Sequence, residues 1–364
     1  MVPLAHRTLK SFPEVASTKF YHANVSPPNS GGFAPIGRMD SSIMQDLAKI
    51  TSLTGWPEIR KSLEMSFSST LQMPCYENVE LQIRIAEENE VRGLTRRQIV
   101  FALTDTELAM AWLFLPEGRE DVPGILCCHH ETPYGKDECA GLEGNPRMAF
   151  AQHYAELGYV TLAIDMPTVN RRASSRREPY DTTTFYRENR KTSFAGKILA
   201  DHRRALDIFS EVKRVDPTRI GVIGHGIGGL NALLLSACDD RVQACVASCG
   251  FTRFATDKNA GVWPQMESTV LYPEIKKCAM AKAFPFDWEH ILALAAPTPL
   301  QIITSLSNSI HDNPKSCQKA VSSAAKIYKL LGAPGAIDHF THHDGHTIAP
   351  ETIEVADDWF ERWL

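Results

Sequence analysis

Residues 219–237, RIGVIGHGIGGLNALLLSA, join an apolar strand to a helix of small and apolar residues through a tight turn rich in glycine. Strand and helix alternate in this way from residue 124 to the last residue. This alternation predicts an α/β fold in which a mostly parallel sheet carries helices on both faces. The predicted strands are 124–130, 159–165, 219–224, 242–249, 300–305 and about 336–341, and the predicted helices are about 146–157, 193–213, 227–237, 314–331 and 350–364.

The part of the chain before this alternation differs in composition and in residue spacing. Residues 1 to about 40 are rich in Pro, Ser, Gly and Asn and indicate an extended arm, and residues 41–71 have helical spacing. Three strands are predicted next, at 79–87, 96–103 and 107–116. We therefore expect an arm with a helical extension over 1–75 and one α/β core over 76–364. An arm of this kind often lies across a partner subunit, which suggests a homodimer.

Two long segments follow predicted strands at the carboxyl edge of the sheet, where open α/β folds bind ligands. They cover residues 166–192 and 251–296, and we predict that they form the walls or lid of a pocket. The first is rich in arginine, which indicates a solvated basic loop or recognition of a polar or anionic substrate. The apolar wall candidates are Phe185, Tyr186, Phe251, Phe254, Trp263, Tyr272, Phe284, Phe286 and Trp288.

Composition excludes several classes of protein. Charged residues are 22% of the 364, the hydrophobic set is 43%, and the net charge of −5 gives no sign of a nucleic-acid or membrane partner. The nine cysteines include no CxxC pair, and several lie in apolar runs, as buried thiols of a reducing compartment do. With no signal-peptide pattern at the amino terminus, a cytoplasmic protein that acts on a small molecule is expected.

Several segments together resemble the α/β-hydrolase superfamily, and within it the dienelactone-hydrolase and acetyl-xylan-esterase-like branch. They read HHETPYGKDECAG, YVTLAIDMP, RIGVIGHGIGGLNALLL and HHDGHTIAPETIEVADDWFERWL. They occur in the family's order within residues 124–364. The resemblance implies the α/β-hydrolase fold, with a nucleophile elbow between strand and helix and a histidine ahead of the last helix.

Carried over residue by residue, the resemblance places the nucleophile position at Gly226 and the catalytic histidine at His346. The acid position falls on Asn308, with Asp312 four residues later as the alternative. Glycine at 226 excludes an acyl-enzyme at this position. It also leaves space for a water or a substrate atom beside His346.

The oxyanion hole is expected to persist, because the backbone amides of Ile227 and Gly228 lie at the positive end of the helix. The second side of the oxyanion hole is expected at the end of the strand 124–130, where the sequence is His129, His130, Glu131, Thr132. A carboxylate at 131 suits a general acid, a base or a nucleophile, and equally a structural group that holds loop amides. His130 and His225 complete the expected oxyanion and binding residues.

Three functions remain open. The first is an enzyme without a covalent intermediate that acts on a hydrophobic, polyketide- or terpenoid-like molecule by acid–base chemistry: epoxide or lactone hydration, dehydration, C–C cleavage or cyclisation. The second is a conventional serine esterase in which residue 226 was changed to glycine. The third is a ligand-binding or scaffold member of the fold.

Metal and cofactor sites are not expected. His339, His342, His343 and His346 are spaced so that their side chains diverge, and zinc signatures normally add further ligands at defined offsets. GHGIGG formally fits the spacing of a dinucleotide-binding loop, but the acidic residue about 20 positions on would be Asp239 or Asp240, in a turn.

Overall fold

The computed structural model describes residues 47, 50, 52–76, 79–118, 120–173, 177–258, 260, 268–281, 283–311 and 313–364. The predicted arm over 1–40 and most of residues 41–51 lie outside the described residues. Within the predicted helical extension, α1 spans Trp56–Leu71 and packs its apolar face into the core through Trp56, Leu63 and Phe67.

The sheet has nine strands among the described residues, in the order β1-β2-β3-β5-β4-β6-β7-β8-β9. The first three are antiparallel, and β3 pairs antiparallel with β5; all pairs from β5 to β9 are parallel. The predicted mostly parallel sheet is confirmed. The strands are β1 Ile83–Val91, β2 Leu94–Ala102, β3 Leu108–Pro116, β4 Val122–Cys128, β5 Val160–Ile164, β6 Val215–His225, β7 Val242–Ser248, β8 Leu300–Ser305 and β9 Ile337–His342.

Helices cover both faces of this sheet because the side chains of each buried strand alternate between them. The remaining helices are α2 Lys136–Cys139, α3 Phe150–Glu156, α4 Thr183–Glu188, α5 Phe194–Ser210, α6 Ile227–Cys238, α7 Pro273–Ala281, α8 Trp288–Ala295, α9 Ser316–Leu330 and α10 Pro350–Trp363. Val222 of β6 packs in the core on the face covered by α1, α5, α6, α8 and α9, whereas Ile223 packs in the core on the face covered by α2, α3 and α10. No helix in the described part of the chain combines the length and apolarity that a membrane crossing requires.

Some predicted boundaries differ from the structure. Strand β4 ends at Cys128, so His129 and His130 lie in the following loop, and β1 lies four residues later than predicted. The predicted lid segment 251–296 ends in α8, in which every residue is buried between α6 and α9. That part belongs to the core because its run ILALAA is apolar on all sides.

The basic segment after β5 is held mainly by ion pairs. Arg172 contacts Glu107 at 2.5 Å and Asp201 at 2.7 Å, and Lys197 contacts the same two carboxylates. Arg177 pairs with Asp181 at 3.2 Å. These contacts agree with a structural basic loop and leave Arg172 unavailable to a ligand.

Candidate functional site

The turn between β6 and α6 has a glycine at its centre. Gly226 has φ 55° and ψ −125°, a left-handed conformation that L-residues with a side chain rarely adopt. Its amide donates to the Ser248 carbonyl at 2.9 Å, which ties the turn to the end of β7. Two residues on, a Cβ at Gly228 would collide with the carbonyl oxygen of Cys128, so glycine there lets the first turn of α6 approach β4. The turn thereby points the amino end of α6 at the carboxyl edge of the sheet.

The carboxylate of Glu131 lies directly over Gly226. A Cβ at position 226 would collide with its Oε2 atom. The same Oε2 accepts a hydrogen bond from the Ile227 amide at 3.2 Å, and Oε1 pairs with His346 Nε2 at 2.7 Å. Glu131 therefore bridges the start of α6, where the helix dipole favours negative charge, and the imidazole. The side chain is 4% exposed.

Asn308 holds the opposite side of the His346 ring. Its Nδ2 atom lies 3.0 Å from His346 Nδ1, while its Oδ1 accepts from the amides of Ile310 and His311 at 2.9 and 3.3 Å. These two backbone donors fix the orientation of the amide, so Nδ2 donates and Nδ1 accepts. In this arrangement the ring proton of His346 is on Nε2 and is donated to Glu131. Asn308 thus both stabilises its own turn and sets the tautomer of the histidine.

The two partners shift each other's pKa. Burial raises the pKa of Glu131, but the hydrogen bond and charge of His346 outweigh this effect and lower it to about 2. Burial lowers the pKa of His346, whereas hydrogen bonds to Cys249 and Glu131 raise it to about 9. The carboxylate is therefore ionised at neutral pH, and its charge favours a proton on the Nε2 atom of His346 that faces it.

His225 and His130 line the other sides of the cluster. The His225 ring centroid lies 4.5 Å from that of His346, and its Nδ1 contacts Ser248 Oγ at 2.9 Å. Burial lowers the pKa of His225 well below its usual value, so it stays neutral. His130 Nε2 pairs with Glu138 at 2.5 Å, and thus faces a different carboxylate from the one on His346.

The remaining predicted residues either lie outside the described residues or pack in other parts of the structure. Asp312 and Trp263 lie outside the described residues. Most of the predicted aromatic walls pack on one another: Phe254 contacts Tyr272, Phe284, Phe286 and Trp288, and Phe251 stacks on Trp288. Phe185 and Tyr186 contact each other beside Phe194. The rings of Phe251, Phe254, Tyr272, Phe284, Phe286 and Trp288 thus pack together in the segment after β7, whereas Phe185 and Tyr186 pack in the segment after β5.

The remaining histidines of the 339–346 stretch have separate partners. His339 Nε2 contacts Thr304 at 3.1 Å, His343 is exposed near Ser307, and His342 is buried. No three potential ligands converge among the described residues in a way that would hold a metal ion. Cys249 is buried at the end of β7, as the sequence pattern indicates for a thiol in an apolar strand.

A small cavity of about 60 Å³ lies elsewhere, between the sheet and the helices α3 and α10. It is lined mainly by apolar side chains, among them Phe150, Ile223, Val246 and Ile303, and so contains none of the site's charged groups.

Comparison with known proteins finds similarity over the central part of the chain. Residues 111–273 match the dienelactone hydrolase family. YtaP, a predicted hydrolase of Bacillus subtilis (strain 168), is 32% identical over 177 residues, which are 46% of this chain and 56% of that protein. The chain thus matches little more than half the length of this curated relative.

Solved structures of the same fold extend over more of the chain. A promiscuous CE15 esterase from a marine bacterial metagenome has a TM-score of 0.68 at 17% identity, covering 89% of this chain and 96% of that one. A glucuronoyl esterase from Solibacter usitatus has a TM-score of 0.67 at 16% identity, with 86% and 94% covered. The predicted α/β-hydrolase fold is confirmed.

Proposed function

Because the chain carries a dienelactone hydrolase family domain on an α/β-hydrolase fold, we propose that it is a hydrolase in which Glu131 and His346, and not residue 226, activate water against an ester or lactone. The substrate is a hydrophobic small molecule with a carbonyl group at the reacting centre. No cofactor takes part.

The observation that carries this proposal is the double contact of the Glu131 carboxylate. One oxygen is 2.7 Å from His346 Nε2 and the other 3.2 Å from the Ile227 amide. In a serine hydrolase the nucleophile and the substrate oxyanion occupy this space between histidine and helix amide. Here a buried carboxylate fills it, so the site keeps an acid–base pair and a polarising amide in contact.

The cycle follows from these contacts. A substrate carbonyl oxygen replaces Glu131 Oε2 on the Ile227 amide, which then stabilises the oxyanion. Glu131 accepts a proton from water as the water oxygen bonds to the carbonyl carbon. The acyl C–O bond breaks, and the leaving oxygen takes the proton that Glu131 accepted from water, so the carboxylate is regenerated. His346 Nε2 keeps its own proton and holds the carboxylate in place through their hydrogen bond.

Glycine at position 226 suits this chemistry. A Cβ at position 226 would meet the end of the Glu131 side chain, which would have to move away from its present place. A serine introduced at 226 and the Glu131 carboxylate would compete for the same space. This favours the acid–base function over an esterase that once carried serine at 226.

The preference for a hydrophobic substrate is supported by burial. His346 and Glu131 are 9% and 4% exposed, so a substrate reaching them leaves most of its water behind. The esterase activities named for the CE15 and glucuronoyl esterase structures agree with a carboxylic ester as the reacting group.

Steady-state hydrolysis tests the proposal directly. p-Nitrophenyl esters of two to ten carbons and the lactone dihydrocoumarin serve as substrates for the wild type, His346→Asn and the exposed control His343→Asn. We expect turnover in the wild type and the control, with kcat/KM at least about 100-fold lower in His346→Asn. Acid-quenched reactions should show no acyl adduct by intact-protein mass. A stable acyl adduct, or equal rates in all three proteins, would overturn the proposal.

A further inference from the structure

The carboxylate of Glu131 is placed by the backbone of its loop as well as by its own two contacts. The Thr132 amide donates to the His130 carbonyl at 2.9 Å, which forms a γ-turn with Glu131 at its centre. This carbonyl and this amide belong to the two peptide groups that flank Glu131. The direction in which the Glu131 side chain leaves the loop therefore depends on what holds these two groups.

The hydroxyl of Tyr180 contacts both of these groups. It donates to the His130 carbonyl at 2.7 Å and accepts from the Thr132 amide at 3.1 Å. Tyr180 is 1% exposed, and burial raises the pKa of its hydroxyl well above the usual value. The hydroxyl therefore keeps its proton and remains a donor to the turn.

His129 holds the same carbonyl from another direction. Its Nε2 accepts from the Met166 amide at 2.9 Å, so the neutral ring carries its proton on Nδ1. Nδ1 donates to the His130 carbonyl at 2.8 Å and lies 3.3 Å from the Tyr180 hydroxyl. Burial lowers the pKa of His129 to about 3, so the ring stays neutral at working pH. Both nitrogens of the ring thus help to place the loop that carries Glu131.

The position of Tyr180 is itself fixed by contacts with the segment after β7. Its φ is 65°, in the left-handed region, a conformation that persists only where surrounding contacts enforce it. Its carbonyl accepts from Thr269 Oγ1 at 2.6 Å, and the Thr182 amide donates to the Ser268 carbonyl at 3.1 Å. The Tyr180 hydroxyl thus links the loop after β4 to the segments that follow β5 and β7.

We propose that Tyr180 is a positioning residue for the Glu131 carboxylate: its hydroxyl fixes the γ-turn that points Glu131 into the space over Gly226. In this role Tyr180 acts through Glu131 and forms no bond to the substrate. The part of this inference that concerns turnover rests on the proposed function, whereas the placement of Glu131 against His346 does not.

Tyr186, in the same segment after β5, is the matched control. Its hydroxyl donates to the Val270 carbonyl at 2.6 Å and accepts from the Phe194 amide at 2.9 Å. These contacts are of the same kind as those of Tyr180, but they join α4 to α5 and to the segment after β7 rather than to the loop of Glu131. Tyr180→Phe and Tyr186→Phe each remove one hydroxyl and keep the ring, and thermal unfolding verifies that both variants fold.

The titration of His346 tests the inference without a substrate. Burial lowers the pKa of His346, and the hydrogen bond and charge of Glu131 are among the contacts that raise it to about 9. If the carboxylate moves away, part of that rise is lost. We expect the imidazole ¹⁵N shifts to give a midpoint at least about half a pH unit lower in Tyr180→Phe, and the wild-type midpoint in Tyr186→Phe. The same midpoint in both variants would overturn the inference.

Kinetics then separate this inference from the proposed function. With p-nitrophenyl butyrate we expect kcat to be at least about 10-fold lower in Tyr180→Phe with KM little changed, because the carboxylate is misplaced. Tyr186→Phe should keep the wild-type kcat. If the wild type hydrolyses the ester but kcat is equal in the two variants, the inference on Tyr180 fails alone. If the wild type hydrolyses no ester or lactone but the His346 midpoint is lower in Tyr180→Phe only, the proposed function fails alone.

Discussion

The Glu131 carboxylate occupies the space directly over Gly226, where any side chain at position 226 would lie. The carboxylate reaches this place from the loop after β4, and it is held there by the Ile227 amide and by His346. A glycine in a left-handed turn and a buried carboxylate are therefore coupled features of one site.

The coupling predicts the outcome of placing serine at 226. Gly226→Ser should lower the free energy of unfolding by about 1–3 kcal/mol, because the new Cβ displaces Glu131 from a packed site. Adding Glu131→Ala should restore part of that loss by making room. Gly332→Ser is the matched control, since Gly332 has φ 79° but open space around the Cβ position. Denaturant unfolding of the three variants and the wild type measures these differences, and an equal loss at 226 and 332 would show that only backbone conformation matters.

Asn308 gives a prediction on the tautomer of His346. Asn308→Asp should replace the N–H donor at Nδ1 by an acceptor, place a proton on Nδ1 and raise the pKa of His346 further. The ¹⁵N shifts of the imidazole, measured by NMR across pH, report both effects. An unchanged tautomer in the Asp variant would contradict the orientation of the amide described above.

The sequence predicts part of this site and not the rest, for a physical reason. The positions of Gly226, Asn308 and His346 follow from the resemblance to the α/β-hydrolase superfamily, and they meet because the ends of parallel strands lie at one edge of the sheet. The resemblance also suggests a carboxylate at 131 near a helix end and an imidazole, but the contact of each Glu131 oxygen depends on how the loop after β4 folds back, which no local pattern encodes. Cys249 is similar: its left-handed φ is imposed by contacts with Ile303 and His311. The aromatic residues after β7 are open to two interpretations from sequence, a pocket wall or the core of a lid, because apolar type alone does not distinguish them, and the structure shows them packed on one another.

The pKa shifts predict how stability depends on pH. The pKa of Glu131 falls from 4.5 to about 2, so the contribution of this carboxylate to the free energy of unfolding is complete above pH 4.5. It is lost as pH falls through about 2. The pKa of His346 rises from 6.5 to about 9, so the contribution of this imidazole to the free energy of unfolding is complete below pH 6.5. It is lost as pH rises through about 9. The stabilisation of the wild type relative to His346→Asn should therefore be greatest between about pH 4.5 and 6.5. Melting temperatures of both proteins from pH 3 to 10 check this, and a constant difference would refute the pairing.

The ion cluster beneath the segment after β5 predicts a large structural effect. Asp201 is fully buried and is satisfied by Arg172 and Lys197. Arg172→Met should lower the free energy of unfolding by about 3–5 kcal/mol, since it removes one partner of a buried carboxylate. Arg187→Met, in an exposed pair, should change it by less than about 0.5 kcal/mol. Similar losses in both variants would show that the buried cluster contributes no more than a surface pair.

The most direct measurement of the central claim is kcat/KM for p-nitrophenyl butyrate at pH 7 in the wild type, Glu131→Gln and the exposed control Glu143→Gln. Glutamine keeps the shape of the side chain over Gly226 but cannot accept a proton from water. We predict a loss of at least about 100-fold in Glu131→Gln and none in the control. Hydrolysis by Glu131→Gln at the wild-type rate would show that the Glu131–His346 pair is not the catalytic group.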